Sequence, residues 1–204
     1  MKGTLYGTTA LGGKWDGGTV FSLDEKSGAE KVLYSFCSRE NCTDGGYPDA
    51  SVIDVNGALY GTTPYGGANC QSNGGCGTVF ALNPGTGAET VVYSFGSQQS
   101  AIDGANPYAS VVDVEGTLFG TTAYGGANCR SSGGCGTVFA VDPMTGGETV
   151  SYSFCSHKDC TDGANPAAGL IAVNHKLYGT TADGGIAGCY GSGCGTLFVL
   201  KEKR

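Results

Sequence analysis

Residues 50–95 read ASVIDVNGALYGTTPYGGANCQSNGGCGTVFALNPGTGAETVVYSF, and this stretch decides the fold. Four runs within it are rich in Val, Thr, Tyr and Phe, residue types that suit a pleated surface. They are run A (Ala50 to Val55), run B (Ala58 to Thr63), run C (Thr78 to Leu82) and run D (Glu89 to Phe95). Asn56-Gly57 between A and B is a two-residue hairpin signal. Asn83-Pro84-Gly85-Thr86-Gly87 between C and D is a turn, because Pro presets one dihedral and Gly supplies a positive one. No segment carries a 3.6-residue apolar period of helical length, so the chain reads as all-β.

The stretch is one copy of a repeat. Leu59-Tyr60-Gly61-Thr62-Thr63 occurs also from Leu5, Leu118 and Leu177, with Phe119 in place of Tyr. Gly77-Thr78-Val79-Phe80 occurs also from Gly18, Gly136 and Gly195, where Leu197 replaces Val. Tyr93-Ser94-Phe95 has partners from Tyr34 and Tyr152, and Asp103-Gly104 with Pro107 has partners at Asp44 and Asp162. The spacing is 59 residues, except for 54 between the first two Leu-Tyr-Gly-Thr-Thr blocks. Four antiparallel strands per repeat at this period are how a β-propeller blade reads. The expected fold is therefore a β-propeller-like array of four-stranded antiparallel blades, about four repeats of 59 residues with incomplete terminal ones. Residues 1–204 form a single repeat domain, divided at about 1–49 (partial), 50–108, 109–167 and 168–204 (partial). Fourteen strands are expected where a closed four-blade ring has sixteen. The chain starts and ends inside a repeat, without a leader, which predicts a module of a longer array.

Composition agrees. The chain has 204 residues, of which 38 are Gly, about 19 % against an average near 7 %. Its formal net charge is −7 and it has no Lys/Arg cluster beyond Lys201-Glu202-Lys203-Arg204, which argues against a nucleic-acid partner. No apolar run is long enough to span a bilayer.

The ten cysteines fall into five local pairs: Cys37/Cys42, Cys70/Cys76, Cys129/Cys135, Cys155/Cys160 and Cys189/Cys194. The repeat provides a control. The first B–C loop, Leu11 to Gly17, carries no Cys, and neither does the second D–A loop, Gly96 to Ala105. Members of a pair thus appear together and vanish together, as bonded partners do. Local disulfides are the leading reading and imply an oxidising, extracellular or cell-surface location. Zinc is the other reading, disfavoured because ten Cys do not divide into four-ligand sites.

In an antiparallel meander, connections alternate between the two ends. The short A–B and C–D turns lie at one end. The long, Gly-rich B–C and D–A loops lie at the other, with every Cys pair. Long loops on a rigid scaffold carry binding. Aromatic residues decorate them: Trp15, Tyr47, Tyr65, Tyr108, Tyr124 and Tyr190. Trp15, Tyr65 and Tyr124, with Asn69 and Asn128, are the candidate ligand-binding residues. Packing at the loop base competes with that reading for Tyr65 and Tyr124.

Asp44, Asp103 and Asp162, with Asn106 and Asn165, allow a calcium reading. An Asx-turn that feeds a strand explains the same residues, and no Asp-x-Asp-x-Asp ladder is present. Neither metal nor cofactor is expected. No catalytic motif occurs, and His157 and His175 occupy non-equivalent positions. Glu30, Glu89 and Glu148 recur at the start of run D, where solvation of an outer strand is the simplest role.

The blocks Leu-Tyr-Gly-Thr-Thr, Gly-Gly, Gly-Thr-Val-Phe, Glu-Thr-Val-x-Tyr-Ser-Phe and Asp-Gly-x-x-Pro, in that order over residues 3 to 200, resemble the GloVer tandem repeat. The resemblance implies a secreted or surface repeat protein and implies no reaction. The expectation is a non-enzymatic extracellular scaffold that binds a glycan or protein partner, with self-association or completion by further repeats. A carbohydrate-binding, lectin-like propeller is the alternative; a propeller enzyme acting on extracellular polysaccharide would need non-repeated acidic residues gathered at one mouth.

Overall fold

A computed structural model describes residues 3–70, 74–128, 134–186 and 193–201. Fourteen strands form four antiparallel sheets, and no α-helix occurs among the described residues. The first sheet is β1 (Thr4–Thr9), β2 (Thr19–Asp24) and β3 (Glu30–Ser35). The second is β4 (Ile53–Val55), β5 (Ala58–Thr63), β6 (Thr78–Leu82) and β7 (Glu89–Ser94). The third is β8 (Val112–Val114), β9 (Thr117–Thr122), β10 (Thr137–Val141) and β11 (Glu148–Ser153). The fourth is β12 (Ile171–Val173), β13 (Lys176–Thr180) and β14 (Leu197–Lys201). Each sheet is a meander with its strands in sequence order.

Runs B and C match β5 and β6 residue for residue. Run A is corrected: only Ile53–Val55 pairs as β4, not Ala50 to Val55. The missing half is drawn to the neighbouring sheet, where the Ala50 carbonyl accepts a hydrogen bond from Thr8 Oγ1 at 2.9 Å. Thr62 to Ala109 and Thr121 to Ala168 repeat this staple. Asn56 and Gly57 both have positive φ, at 53° and 85°, which is the type I′ geometry that matches strand twist.

The repeat motif is legible in the packing. Gly120 of β9 pairs with Phe139 of β10, and a Cβ on Gly120 would lie 2.4 Å from the ring's Cζ. Glycine therefore lets the Phe ring lie flat across the sheet. That ring meets Phe95 of the preceding sheet edge to face, with centroids 5.0 Å apart. Phe36 with Phe80, and Phe154 with Phe198, repeat the pairing at 5.0 Å and 4.9 Å. The second Thr of the Leu-Tyr-Gly-Thr-Thr block bonds the Thr of Gly-Thr-Val-Phe; Thr63 Oγ1 and Thr78 Oγ1 are 2.8 Å apart.

Three buried clusters follow. Val20 and Phe36 of the first repeat pack with Leu59, Phe80 and Leu82 of the second. Val79 and Phe95 pack with Leu118, Phe139 and Val141 of the third. Val138 and Phe154 pack with Leu177, Phe198 and Leu200 of the fourth. The sheets thus stack side by side in chain order. The short strands β8 and β12 of neighbouring sheets approach each other. Among the described residues no helix is long and apolar enough to cross a membrane.

Candidate functional site

The B–C and D–A loops do lie together and are knitted into one layer. Gly46 bridges Tyr65, Ala105 bridges Tyr124 and Ala164 bridges Asp183, each joining one repeat's D–A loop to the next repeat's B–C loop. Asn106 Nδ2 donates to the Pro64 carbonyl at 2.7 Å, and Asn165 Nδ2 to that of Ala123 at 2.8 Å. Both asparagines have left-handed backbones, which Asn tolerates.

The three repeated aspartates anchor this layer from below. Asp103 Oδ2 accepts hydrogen bonds from the Tyr93 hydroxyl at 2.8 Å, the Ser97 amide at 2.9 Å and the Ser97 hydroxyl at 3.0 Å. Asp44 and Asp162 repeat the set with Tyr34, Ser38, Tyr152 and Ser156. Burial would raise the Asp162 carboxyl, but donors from Tyr152, Ser156 and His157 outweigh it and hold it down at about 2. These carboxylates are engaged as turn anchors.

Cys37–Cys42, Cys70–Cys76 and Cys155–Cys160 are disulfides. Cys135 and Cys194 are disulfide-bonded too; their expected partners Cys129 and Cys189 lie outside the described residues, as does Tyr190. The Sγ atoms of Cys135, Cys155 and Cys160 lie within 4.8 Å of one another, but as oxidised sulfurs they offer no thiolate to a metal. Two disulfides thus crowd together in the third repeat. Elsewhere glycine relieves the crowding: Gly17 sits against Cys37, and Gly96 against Cys70 and Cys76.

Where Gly96 and Ala101 replace a Cys pair, a groove of about 960 Å³ opens on the loop face. Its walls include Gln98, Ile102, Tyr124 and Asn128. A second groove of about 420 Å³ lies between Tyr108, Tyr124, Asn165 and Asp183. Tyr108 continues into a chain of rings: Tyr65 lies edge-on to it at 6.3 Å, and Tyr47 edge-on to Tyr65 at 5.9 Å. The hydroxyls of Tyr65 and Tyr108 are 3.0 Å apart, and burial with this bond pushes the Tyr108 phenol up. Tyr47, Tyr65 and Tyr124 are each about two-fifths exposed. Tyr47 holds a φ of 57° where Asn106 and Asn165 stand in other repeats, a conformation that costs a bulky residue roughly 1 kcal/mol.

Of the candidate ligand residues, Tyr124 and Asn128 wall the same groove. Tyr65 belongs to the ring chain. Asn69 Nδ2 donates to the Ser94 and Phe95 carbonyls, and Asn128 Nδ2 to those of Ser153 and Phe154, so both amides tie the loop to its sheet. Trp15 is exposed, with Lys14 Nζ 4.6 Å from its ring centre and no ring contact to the tyrosines among the described residues. His175 sits beside Glu115 on the short-turn end, whereas His157 lies in the loop layer.

Of the three glutamates, Glu30 is exposed as expected, but Glu89 and Glu148 require a correction. Glu89 does not solvate an outer strand; its side chain is buried and meets Arg39 of the preceding repeat at 2.8 Å. Glu148 occupies the same place in the third repeat, but Gln98 stands where Arg39 would be. Both Glu148 carboxyl oxygens are buried without a hydrogen-bond partner. Burial, with Asp103 nearby, raises Glu148 to about 7, and burial raises Glu89 to about 7 despite Arg39. A carboxyl raised in the folded state binds its proton more tightly there than in the unfolded chain. Stability is therefore fully present below the ordinary value of 4.5 and is lost as pH rises through about 7. Glu148→Gln is expected to flatten part of that slope in urea melts at several pH values and to stabilise by about 1 kcal/mol above neutrality. Gln98→Arg should act in the same direction by restoring a partner.

Fold and site together define a class: a disulfide-clipped, all-β tandem-repeat protein with its variable residues on one loop face. The sequence model of the Gloeobacter/Verrucomicrobia repeat matches residues 1–198, and the chain belongs to that family. No curated protein matches it significantly. Among solved structures, one titled as the crystal structure of a nidogen/laminin complex matches with a TM-score of 0.55 at 12 % identity, over 89 % of this chain and 54 % of that one. A putative 6-phosphogluconolactonase from Bacteroides fragilis NCTC 9343 matches with a TM-score of 0.43 at 14 % identity, over 98 % of this chain and 54 % of that one. The chain thus spans about half the length of these two structures. The first likeness is one of fold alone.

Proposed function

We propose that the chain is a non-enzymatic extracellular or cell-surface binding scaffold, with its sheets arranged as propeller blades and its loop face as the binding surface. The observation that carries this reading is the exposed ring chain Tyr47–Tyr65–Tyr108 running toward Tyr124 and the two grooves. Tyrosine offers a large rigid contact area with a polar tip, and it concentrates where proteins bind proteins. The cost of holding Tyr47 in a left-handed backbone supports a role for its ring beyond packing. The blade arrangement is supported by the four-strand meander, the ring pairs between successive sheets and the approach of β8 to β12. The disulfides and the family support export. The absence of a reaction rests on the anchored aspartates and the separated histidines.

A protein partner is the first reading, and a solved structure of similar fold is titled as a complex between proteins. A glycan is the second, favoured by Tyr124 and Asn128 on one groove wall, where a sugar could stack and hydrogen-bond. The test presents the intact chain to a panel of extracellular proteins and to a glycan array. The expected result is binding that falls at least about tenfold in both Tyr65→Ala and Tyr124→Ala, as hot-spot truncation does. Binding indifferent to both substitutions would overturn the assignment of this face, and glycan hits without protein hits would decide for the second reading.

A further inference from the structure

The repeat supplies its own control for a buried carboxylate. In the second repeat the Glu89 side chain is completely buried and is paired. Arg39, from the loop of the preceding repeat, places Nη2 2.8 Å from Glu89 Oε2 and donates to the Glu89 carbonyl as well. The Arg39 side chain is 47 % exposed, so it runs along the surface and turns its tip inward. The third repeat keeps this arrangement without the cation. Glu148 stands at the Glu89 position, Asp103 at that of Asp44, Tyr93 at that of Tyr34, and Gln98 at that of Arg39. Both Glu148 carboxyl oxygens are buried and accept no hydrogen bond. The neighbouring donors are spent, because the Tyr93 hydroxyl and the Ser97 amide donate to Asp103. Gln98 is exposed, and its side-chain amide makes no hydrogen bond among the described residues. It also forms part of the wall of the larger groove.

A buried carboxylate with neither cation nor donor is costly, and the second repeat shows which group satisfies it. We infer that Glu148 receives an arginine side chain of a protein partner, which enters from the groove beside Gln98 and takes the place that Arg39 fills one repeat earlier. This rests on the protein-binding reading of the loop face and gives that partner a chemistry. Arginine fits because its planar fork can engage both free Glu148 oxygens at once. It is also among the side chains that dominate protein interfaces, and the chain's net charge of −7 favours a basic partner. A calcium ion fits less well: it needs six to eight oxygens, and Asp103 is already engaged by Tyr93 and Ser97. The site lies between the second and third repeats, each a complete four-stranded sheet.

Titration of the intact chain with Nα-acetyl-arginine amide, followed by carbon NMR of the Glu148 carboxyl above neutral pH, tests the site. The resonance is expected to shift saturably in the millimolar range, as suits a single residue out of its interface. The citrulline amide has the same shape without the charge and should leave the resonance in place. Glu148→Gln is expected to weaken probe binding at least about tenfold, read from the backbone amides around Gln98. Gln98→Arg supplies the guanidinium from within the chain. It should weaken probe binding as much while melting no lower than the wild type, which a merely structural role for Glu148 does not predict. A wild type without a saturable shift, equal responses to the two probes, Gln98→Arg binding like the wild type, or calcium moving the resonance in place of the probe would each overturn the inference. The probe needs neither a partner nor the tyrosines. Probe binding beside a silent protein panel therefore counts against the scaffold reading alone, and panel binding beside a silent probe counts against the arginine site alone.

Discussion

Replacing Phe139 by alanine is expected to destabilise the protein by about 3–5 kcal/mol, the range for emptying a packed aromatic site. The ring is completely buried, lies flat over Gly120 and meets Phe95 of the preceding sheet. Its removal opens a hole between two sheets that their backbone staples hold in place, so the walls cannot easily collapse. Phe21 is the control within the chain. It stands at the same motif position in the first sheet, where it is half-buried and meets no ring among the described residues. Phe21→Ala is expected to cost only about 1–2 kcal/mol, because part of that ring is already in water. Urea denaturation of both variants measures the difference. Equal costs would mean that the ring pair between sheets contributes nothing of its own.

Asp103→Ala is expected to cost about 2–3 kcal/mol, because three donors from half-buried Tyr93 and exposed Ser97 lose a fully buried carboxylate acceptor at once. The same change should loosen residues 97–103, which wall the larger groove, and so reduce any binding there by more than the stability loss accounts for. Asp103→Asn keeps one acceptor and turns an amide N–H₂ toward the donors, so an intermediate loss of about 1–2 kcal/mol follows. Chemical denaturation gives the stability, and hydrogen exchange of the Ser97 amide gives the loop. A variant with wild-type stability and an unchanged Ser97 exchange rate would show that the carboxylate does not anchor the loop.

Much of this architecture can be read from residue types alone. The spacing of Leu-Tyr-Gly-Thr-Thr and Gly-Thr-Val-Phe locates strands β5 and β6, because those motifs are packing devices: a glycine under a ring, a threonine pair across two strands. Run A is misread before Ile53 because its first residues bond to a neighbouring sheet, and a single repeat does not display that demand. The disulfides are legible because a pair and its absence both recur. The vacated pair at Gly96 and Ala101 also marks where a groove opens, which becomes meaningful only once the neighbouring Cys70–Cys76 bridge is seen to border it. Tyr65 and Tyr124 stand out by repetition. Their joining to Tyr47 and Tyr108 does not, because those two replace Asn and small or acidic residues and meet across repeats. Glu89 and Glu148 read as solvated from strand position, yet the loop of the preceding repeat covers them.

The stacking of successive sheets through paired rings is tested most directly by nuclear Overhauser effects in protein labelled at phenylalanine. Cross-peaks are expected between the rings of Phe36 and Phe80, Phe95 and Phe139, and Phe154 and Phe198, whose centres are 4.9–5.0 Å apart. Assigned rings that show contacts only within their own repeat, with all three cross-peaks missing, would contradict the architecture.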